Sequence, residues 1–290
     1  MSNNSINSII VLLICFIVAC NNTKKKKYYY STGELLSEIT YNNKGIKDGE
    51  LKQYYKSGEL KAIEYYDQGK IVDTTKRFSK NGSLIAQEYQ LNGHNIYEKY
   101  YENGNLMSKG KVIDTLLTGW WEYYHKDGKP KMKVEYMDVS KDSLIKNPLY
   151  TNQLIYYDQY GKVLKDSSNY FTIDLKDTIL REKISIGYLD LQPSVSKKDD
   201  FHMVYYWQED EQGNTTNVDS TYGKNEKKAM LRIIPKIIGQ YKLKGYVHEK
   251  GRSVRVNKED STMADITFKE RKLFFEKPFV VVDSVNAISK

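Results

Sequence analysis

Residues able to do chemistry are few and scattered. The four histidines, His94, His125, His202 and His248, show neither HExxH nor HxH spacing, so no pair is set to hold a metal on one face of an element. The acidic run Glu209-Asp210-Glu211 lacks the alternate-position ligands of a calcium loop and reads as a solvated hairpin tip. No GxSxG, GxGxxG or GxxxxGK[ST] pattern occurs. No catalytic residue, metal ligand or cofactor is therefore expected, and the chain is expected not to be an enzyme. The densest aromatic cluster is Trp120, Trp121, Tyr123 and Tyr124. On a strand, adjacent residues point to opposite faces, so one tryptophan is exposed if the other is buried. An exposed Trp-Tyr row would stack on sugar rings or anchor a protein interface.

The two cysteines read differently from catalytic thiols. Ile9 to Ala19 are eleven consecutive apolar residues, too short for the roughly 20 needed to span a bilayer and right for the core of a signal peptide. Ile17-Val18-Ala19-Cys20 then resembles the lipobox of bacterial lipoproteins, which implies cleavage after residue 19 and acylation of Cys20 as a membrane anchor. Positions 1–19 carry no Lys or Arg. The mature chain would hold no other cysteine, which removes disulfides, thiol catalysis and cysteine metal sites. Residues 20–27, ending in Lys24 to Lys27, read as a polar lipidated tether. Position 21 is Asn rather than Asp, and no acidic cluster follows Cys20. Both features resemble an outer-membrane lipoprotein facing the periplasm.

The elements that must position the aromatics are repeats. Tyr29-Tyr30-Ser31-Thr32-Gly33, Tyr54-Tyr55-Lys56-Ser57-Gly58, Phe78-Ser79-Lys80-Asn81-Gly82, Tyr100-Tyr101-Glu102-Asn103-Gly104, Tyr124-His125-Lys126-Asp127-Gly128 and Tyr157-Asp158-Gln159-Tyr160-Gly161 each place an aromatic four residues before a glycine. Two positions after the glycines stand Leu35, Leu60, Leu84, Leu106, Pro130 and Val163. A period of about 24 residues with one turn in each half reads as β-hairpins. Asn81-Gly82 and Asp127-Gly128 are strong hairpin dipeptides, since both residue types tolerate positive φ. Twenty of the 26 tyrosines fall between residues 28 and 170, so rows of rings are expected to stack across the sheet.

Asp48-Gly49-Glu50-Leu51-Lys52-Gln53-Tyr54-Tyr55-Lys56-Ser57-Gly58-Glu59-Leu60 and Thr118-Gly119-Trp120-Trp121-Glu122-Tyr123-Tyr124 resemble the bacterial variant of MORN repeats. The resemblance covers about half the chain, residues 28–170, and implies a β-hairpin scaffold, often within envelope lipoproteins and sometimes labelled an antitoxin. Copy three lacks the Tyr-Tyr pair and copy five has Pro130.

Beyond Phe171 the rhythm stops. Short apolar runs, Ile184 to Leu191, His202 to Trp207, Ala229 to Ile238, Tyr241 to Val247, Ala264 to Phe268 and Pro278 to Val282, suggest an all-β sandwich over residues 171–290. Gly239-Gln240-Tyr241-Lys242-Leu243 resembles the tyrosine corner of immunoglobulin-like domains, with Leu243 where antibody domains carry a cysteine.

Charge narrows the partners. The net charge is +8, but Lys24 to Lys27 supply half of it, and only six of the 45 basic residues are Arg. Nucleic acid is not an expected partner, because phosphate and guanine readout favours Arg. The expectation is an all-β, membrane-anchored, non-enzymatic envelope lipoprotein that binds a protein partner or serves as a structural module through its repeat face. The alternatives are a carbohydrate- or peptidoglycan-binding module and an envelope antitoxin-like toxin neutraliser.

Overall fold

The computed structural model describes residues 23–138, 149–192, 201–224, 228–256 and 264–283. Every regular element among them is a β-strand. The signal segment 1–19 and Cys20 lie outside the described residues. The chain divides into two compact units, Met1–Gly82 and Ser83–Lys290.

In the first unit, β1 (Lys24–Tyr29), β2 (Leu35–Tyr41), β3 (Lys47–Tyr54), β4 (Leu60–Asp67) and β6 (Thr75–Phe78) pair in that order, and β5 (Lys70–Ile71) adds to β4. The sheet therefore begins inside the expected tether, since Lys24 to Lys27 lie in β1 opposite Tyr41 to Glu38. Partners on β2 hold them there. Lys27 and Lys25 reach Glu38 at 3.1 and 3.8 Å, and the Lys26 ammonium sits 5.3 Å from the Tyr41 ring centre.

The second unit continues the hairpin pattern with β7 (Leu84–Leu91), β8 (His94–Tyr100), β9 (Leu106–Ile113), β10 (Leu116–Tyr124), β11 (Pro130–Met137) and β12 (Tyr150–Tyr156), each paired to the next. The turns at Gly33, Gly58, Gly82, Gly104, Gly128 and Gly161 all close with the glycine N–H on the carbonyl three residues earlier. These glycines have φ between 81° and 100°, while Asn81 and Asp127 do not adopt positive φ. The turns are thus three-residue loops ending in a glycine bulge, rather than the two-residue type expected from Asn81-Gly82 and Asp127-Gly128. The two-residue type occurs on the opposite edge, where Asn92 (φ 50°) and Gly93 (φ 76°) join paired Leu91 and His94.

Ring stacking is a minor part of the ladder. The second tyrosine of each pair instead donates its hydroxyl to a backbone carbonyl one repeat further on: Tyr30 to Tyr54 (2.9 Å), Tyr55 to Phe78 (2.8 Å) and Tyr101 to Tyr124 (2.9 Å). Ser79 stands at this position in the third copy, and the division between the two units falls within that copy.

The remaining strands form two further sheets. β13 (Phe171–Asp174), β15 (Ser185–Leu191) and β18 (Lys228–Ile233) make one, and β14 (Thr178–Leu180), β20 (Ala264–Val282), β19 (Gly239–Val256), β16 (Phe201–Asp210) and β17 (Thr215–Lys224) make the other, in the order β14-β20-β19-β16-β17. Among the described strand pairs, β14 alone runs parallel to its neighbour, β20. Leu189, Leu231 and Ile233 from the first sheet and Val204, Leu243, Val247 and Leu273 from the second meet in one core. Strand alternation explains this, for β18 buries Ala229, Leu231 and Ile233 and exposes the residues between them.

Two strand expectations are corrected, and one strand is added that no apolar run marked. Ala264 to Phe268 and Pro278 to Val282 are parts of one 19-residue strand, β16 runs on to Asp210, and the polar segment Thr215–Lys224 is a strand. In each case pairing with a neighbouring strand supplies what the side-chain pattern lacks.

The boundary near residue 170 separates two strand patterns but not two bodies, because β12 is bonded to β20. The fully buried Asn152 side chain accepts from the Phe274 N–H (2.7 Å) and donates to the Phe274 carbonyl (2.8 Å) and to Glu135 Oε2 (2.6 Å). Tyr150 donates to the Lys272 carbonyl (2.6 Å), and Arg271 donates to the Asn152 carbonyl (2.6 Å).

Candidate binding face of the repeats

Register sorts the side chains of β7 to β11 onto two faces, because directly opposed residues share a face. Gln87 pairs with Glu98, Glu98 with Lys109, Lys109 with Glu122 and Glu122 with Lys133. The second face carries Tyr97, Gly110, Trp121 and Val134.

A polar mesh occupies the middle of the first face. The buried Glu98 carboxylate accepts from Gln87 Nε2 (2.7 Å), Tyr89 Oη (2.8 Å), Lys109 Nζ (2.8 Å) and the Tyr100 hydroxyl. Burial alone would push this carboxyl up, but the donors from Lys109, Tyr100, Gln87 and Tyr89 outweigh it and hold the pKa at about 2. The motif recurs one hairpin on, where Glu122 accepts from Lys133 (2.6 Å) and Tyr124 (2.8 Å). Burial, followed by the Glu122 hydrogen bond, pushes Tyr124 up to about 12.

The four expected binding residues divide between the faces. Trp120 stands with the polar mesh and keeps 39% of its surface, whereas Trp121 keeps 3%. The Trp121 indole lies over Gly110, donates to the Lys111 carbonyl (3.0 Å) and has the Tyr97 and Tyr123 ring centres at 6.5 and 6.2 Å. Tyr123 and Tyr124 are half-buried, and the Tyr123 hydroxyl is hydrogen-bonded to that of Tyr136 (3.0 Å). Trp120, Trp121, Tyr123 and Tyr124 therefore do not form one exposed row; the expected opposition of the two tryptophans holds.

Three side chains beyond that cluster complete the surface. Leu91, Ile113 and Leu116 flank the two-residue turns at one end of the hairpins and are exposed at 48%, 64% and 49%. Ile113 and Leu116 are directly opposed, and the register places Leu91 and Trp120 on their face. The signal for them was their place beside Asn92-Gly93 and Asp114-Thr115, where a strand end leaves the sheet and has little to pack on.

The histidines are not gathered. His94 opens β8, His125 lies in a turn, and His202 and His248 belong to β16 and β19. Among the described residues no group of three or more His, Cys, Asp or Glu stands together as a metal site.

The family model of the MORN repeat variant matches residues 23–43, 47–72, 94–114 and 117–138. The four matches coincide with the hairpins β1–β2, β3–β4, β8–β9 and β10–β11. The two unmatched copies are the third, with Phe78-Ser79 in place of Tyr-Tyr, and the last, Tyr157 to Gly161. No curated protein matches the chain. The repeats make this a repeat-based binding or structural module.

Proposed function

We propose that this chain is a non-enzymatic lipoprotein of a bacterial envelope, anchored through Cys20 and facing the periplasm from the outer membrane, whose repeat hairpins bind a protein partner. One observation carries the binding: Leu91, Ile113, Leu116 and Trp120 all stand exposed on one face, which also carries a polar mesh already saturated with its own hydrogen bonds. Exposed apolar groups rimmed by polar residues mark protein interaction sites. The anchor rests on the Ile17-Val18-Ala19-Cys20 sequence. Two features support an immunoglobulin-like sandwich beside the repeats. The sheets have the orders β13-β15-β18 and β14-β20-β19-β16-β17 with a parallel β14, and the Tyr241 hydroxyl donates back to the Ile237 carbonyl (3.2 Å) two residues before the buried Leu243.

The exposed Trp120 indole favours a second reading, glycan binding by stacking. Both readings are tested by quantitative affinity purification of the tagged chain from crosslinked, detergent-solubilised membranes, alongside Cys20→Ala, Trp120→Ala and Ile113→Glu. A near-stoichiometric protein lost in Cys20→Ala and in both patch variants is expected. Glycan recovery lost only with Trp120→Ala would favour the second reading, and recovery indifferent to the patch variants would overturn both. Cys20→Ala should release the mature protein or leave a precursor; unchanged membrane fractionation would overturn the anchor.

A further inference from the structure

A cleft of about 590 Å³ opens at one end of the five-stranded sheet, far in sequence from the repeat patch, and lies within the range of small-ligand and peptide pockets. Three of its features point to one class of ligand. The first is an unpaired strand edge. β16 makes its last pair between Asp210 and Tyr241, so Gly239 and Gln240 of β19 continue past it with no strand on that side. An extended peptide adds to such an edge through its own backbone.

The second feature is an apolar floor. Val280 pairs with Gln240 and Pro278 with Lys242, so both share the outer face and both are exposed. Tyr241, stacked on Phe279 with ring centres 5.6 Å apart, closes the floor from the core side.

The third feature is an uncommitted anion. Four carboxylates and one ammonium line the cleft, in a chain whose net charge is +8. Glu209 is paired with Lys244 (2.6 Å) and Asp177 with Lys277, and the Lys242 ammonium is held by Glu276 (2.8 Å). Asp210 accepts the N–H groups of Gln212 (3.0 Å) and Asn214 (2.8 Å) and serves the hairpin tip. Glu211 remains: it is exposed at the tip, and no hydrogen bond or ion pair engages its carboxylate among the described residues.

We propose that this cleft captures an extended peptide segment of a partner protein, one that carries a lysine or arginine next to an apolar residue. The peptide backbone lies along Gly239 and Gln240, its apolar side chain rests on Pro278 and Val280, and its cation meets Glu211. This site is independent of the repeat patch.

The test is fluorescence anisotropy of a fluorescein-labelled hexapeptide of alternating lysine and valine, titrated with the full chain. A glutamate-valine hexapeptide and the tetramer of N-acetylglucosamine serve as comparisons. The lysine-valine peptide is expected to bind at least tenfold tighter than its acidic counterpart, and to lose at least tenfold in affinity with Glu211→Lys and again with Val280→Lys. Trp120→Ala should leave this binding unchanged, which separates the cleft from the repeat patch. Glu211 is exposed on a hairpin tip and its replacement is expected to leave the unfolding temperature in place; should one variant unfold early, the other still decides. Equal affinity for the two peptides, displacement by the sugar, indifference to both substitutions or the lack of saturable binding would each overturn the proposal.

Discussion

Gly110 lies directly beneath the Trp121 indole: a Cβ built at Gly110 would come within 2.3 to 2.4 Å of three atoms of that ring system. Here glycine is required for space rather than for its backbone freedom. Gly110→Ala should force the indole off its seat and destabilise the second unit by about 1–3 kcal/mol. Denaturant unfolding together with a red shift of tryptophan emission would check it, and an unshifted midpoint would show that the ring has room.

The tyrosine hydroxyls that join successive repeats are testable one at a time. Tyr101→Phe keeps the ring and removes only the bond to the Tyr124 carbonyl, so a loss of about 0.5–1.5 kcal/mol is expected. Tyr160→Phe, at an 85% exposed ring, serves as the control and should cost nothing measurable in the same urea titration.

Glu98 gives the fold an acid sensitivity. Its folded pKa of about 2 lies below the ordinary value of 4.5, so the folded state binds fewer protons than the unfolded chain. Its contribution is complete above pH 4.5 and falls away as the pH drops toward 2. At the shift found it is on the order of 3 kcal/mol. The stability difference between wild type and Glu98→Gln should therefore shrink over that window and stay flat from pH 6 to 8.

Asn152 is the sharpest test of how the last hairpin strand holds the sandwich. Asn152→Leu leaves the Phe274 N–H and carbonyl without this partner and frees Glu135 Oε2 from its amide, so a loss of about 2–4 kcal/mol is expected. Amide hydrogen exchange at Phe274 should accelerate; unchanged protection there would show that the side chain is dispensable.

The hairpins could be read from the chain because each copy repeats the same local instruction: aromatic, three-residue loop, glycine, apolar residue. What was not readable is what depends on partners distant in sequence. Asn152 meets Phe274 across 122 residues, and nothing near either one announces it. Thr215–Lys224 has no apolar alternation because it is an edge strand with almost every described side chain in solvent, so pairing with β16 alone defines it. The opposition of Trp120 and Trp121 followed from strand parity. Which of the two is buried was decided by Gly110, eleven residues before Trp121 on the neighbouring strand.

The hydroxyl links of Tyr30, Tyr55 and Tyr101 lie at the three-residue-loop ends of their hairpins, and each ties its own loop to the next. The opposite edge is linked differently, where Asn42 donates to Gln68 Oε1 (3.4 Å) and Gln68 donates to Asp48 Oδ2 (2.9 Å). Lengthening a loop on the tyrosine edge would break a bond to its neighbour's backbone, and lengthening the loops at Asn42 or Gln68 would break the amide links of the other edge. The 33-residue step from Gly128 to Gly161 places its extra residues between Met137 and Tyr150, at the edge without tyrosine links. Grafts or tags inserted between Met137 and Tyr150, where the sequence already carries its extra length, should therefore be borne without loss of the array.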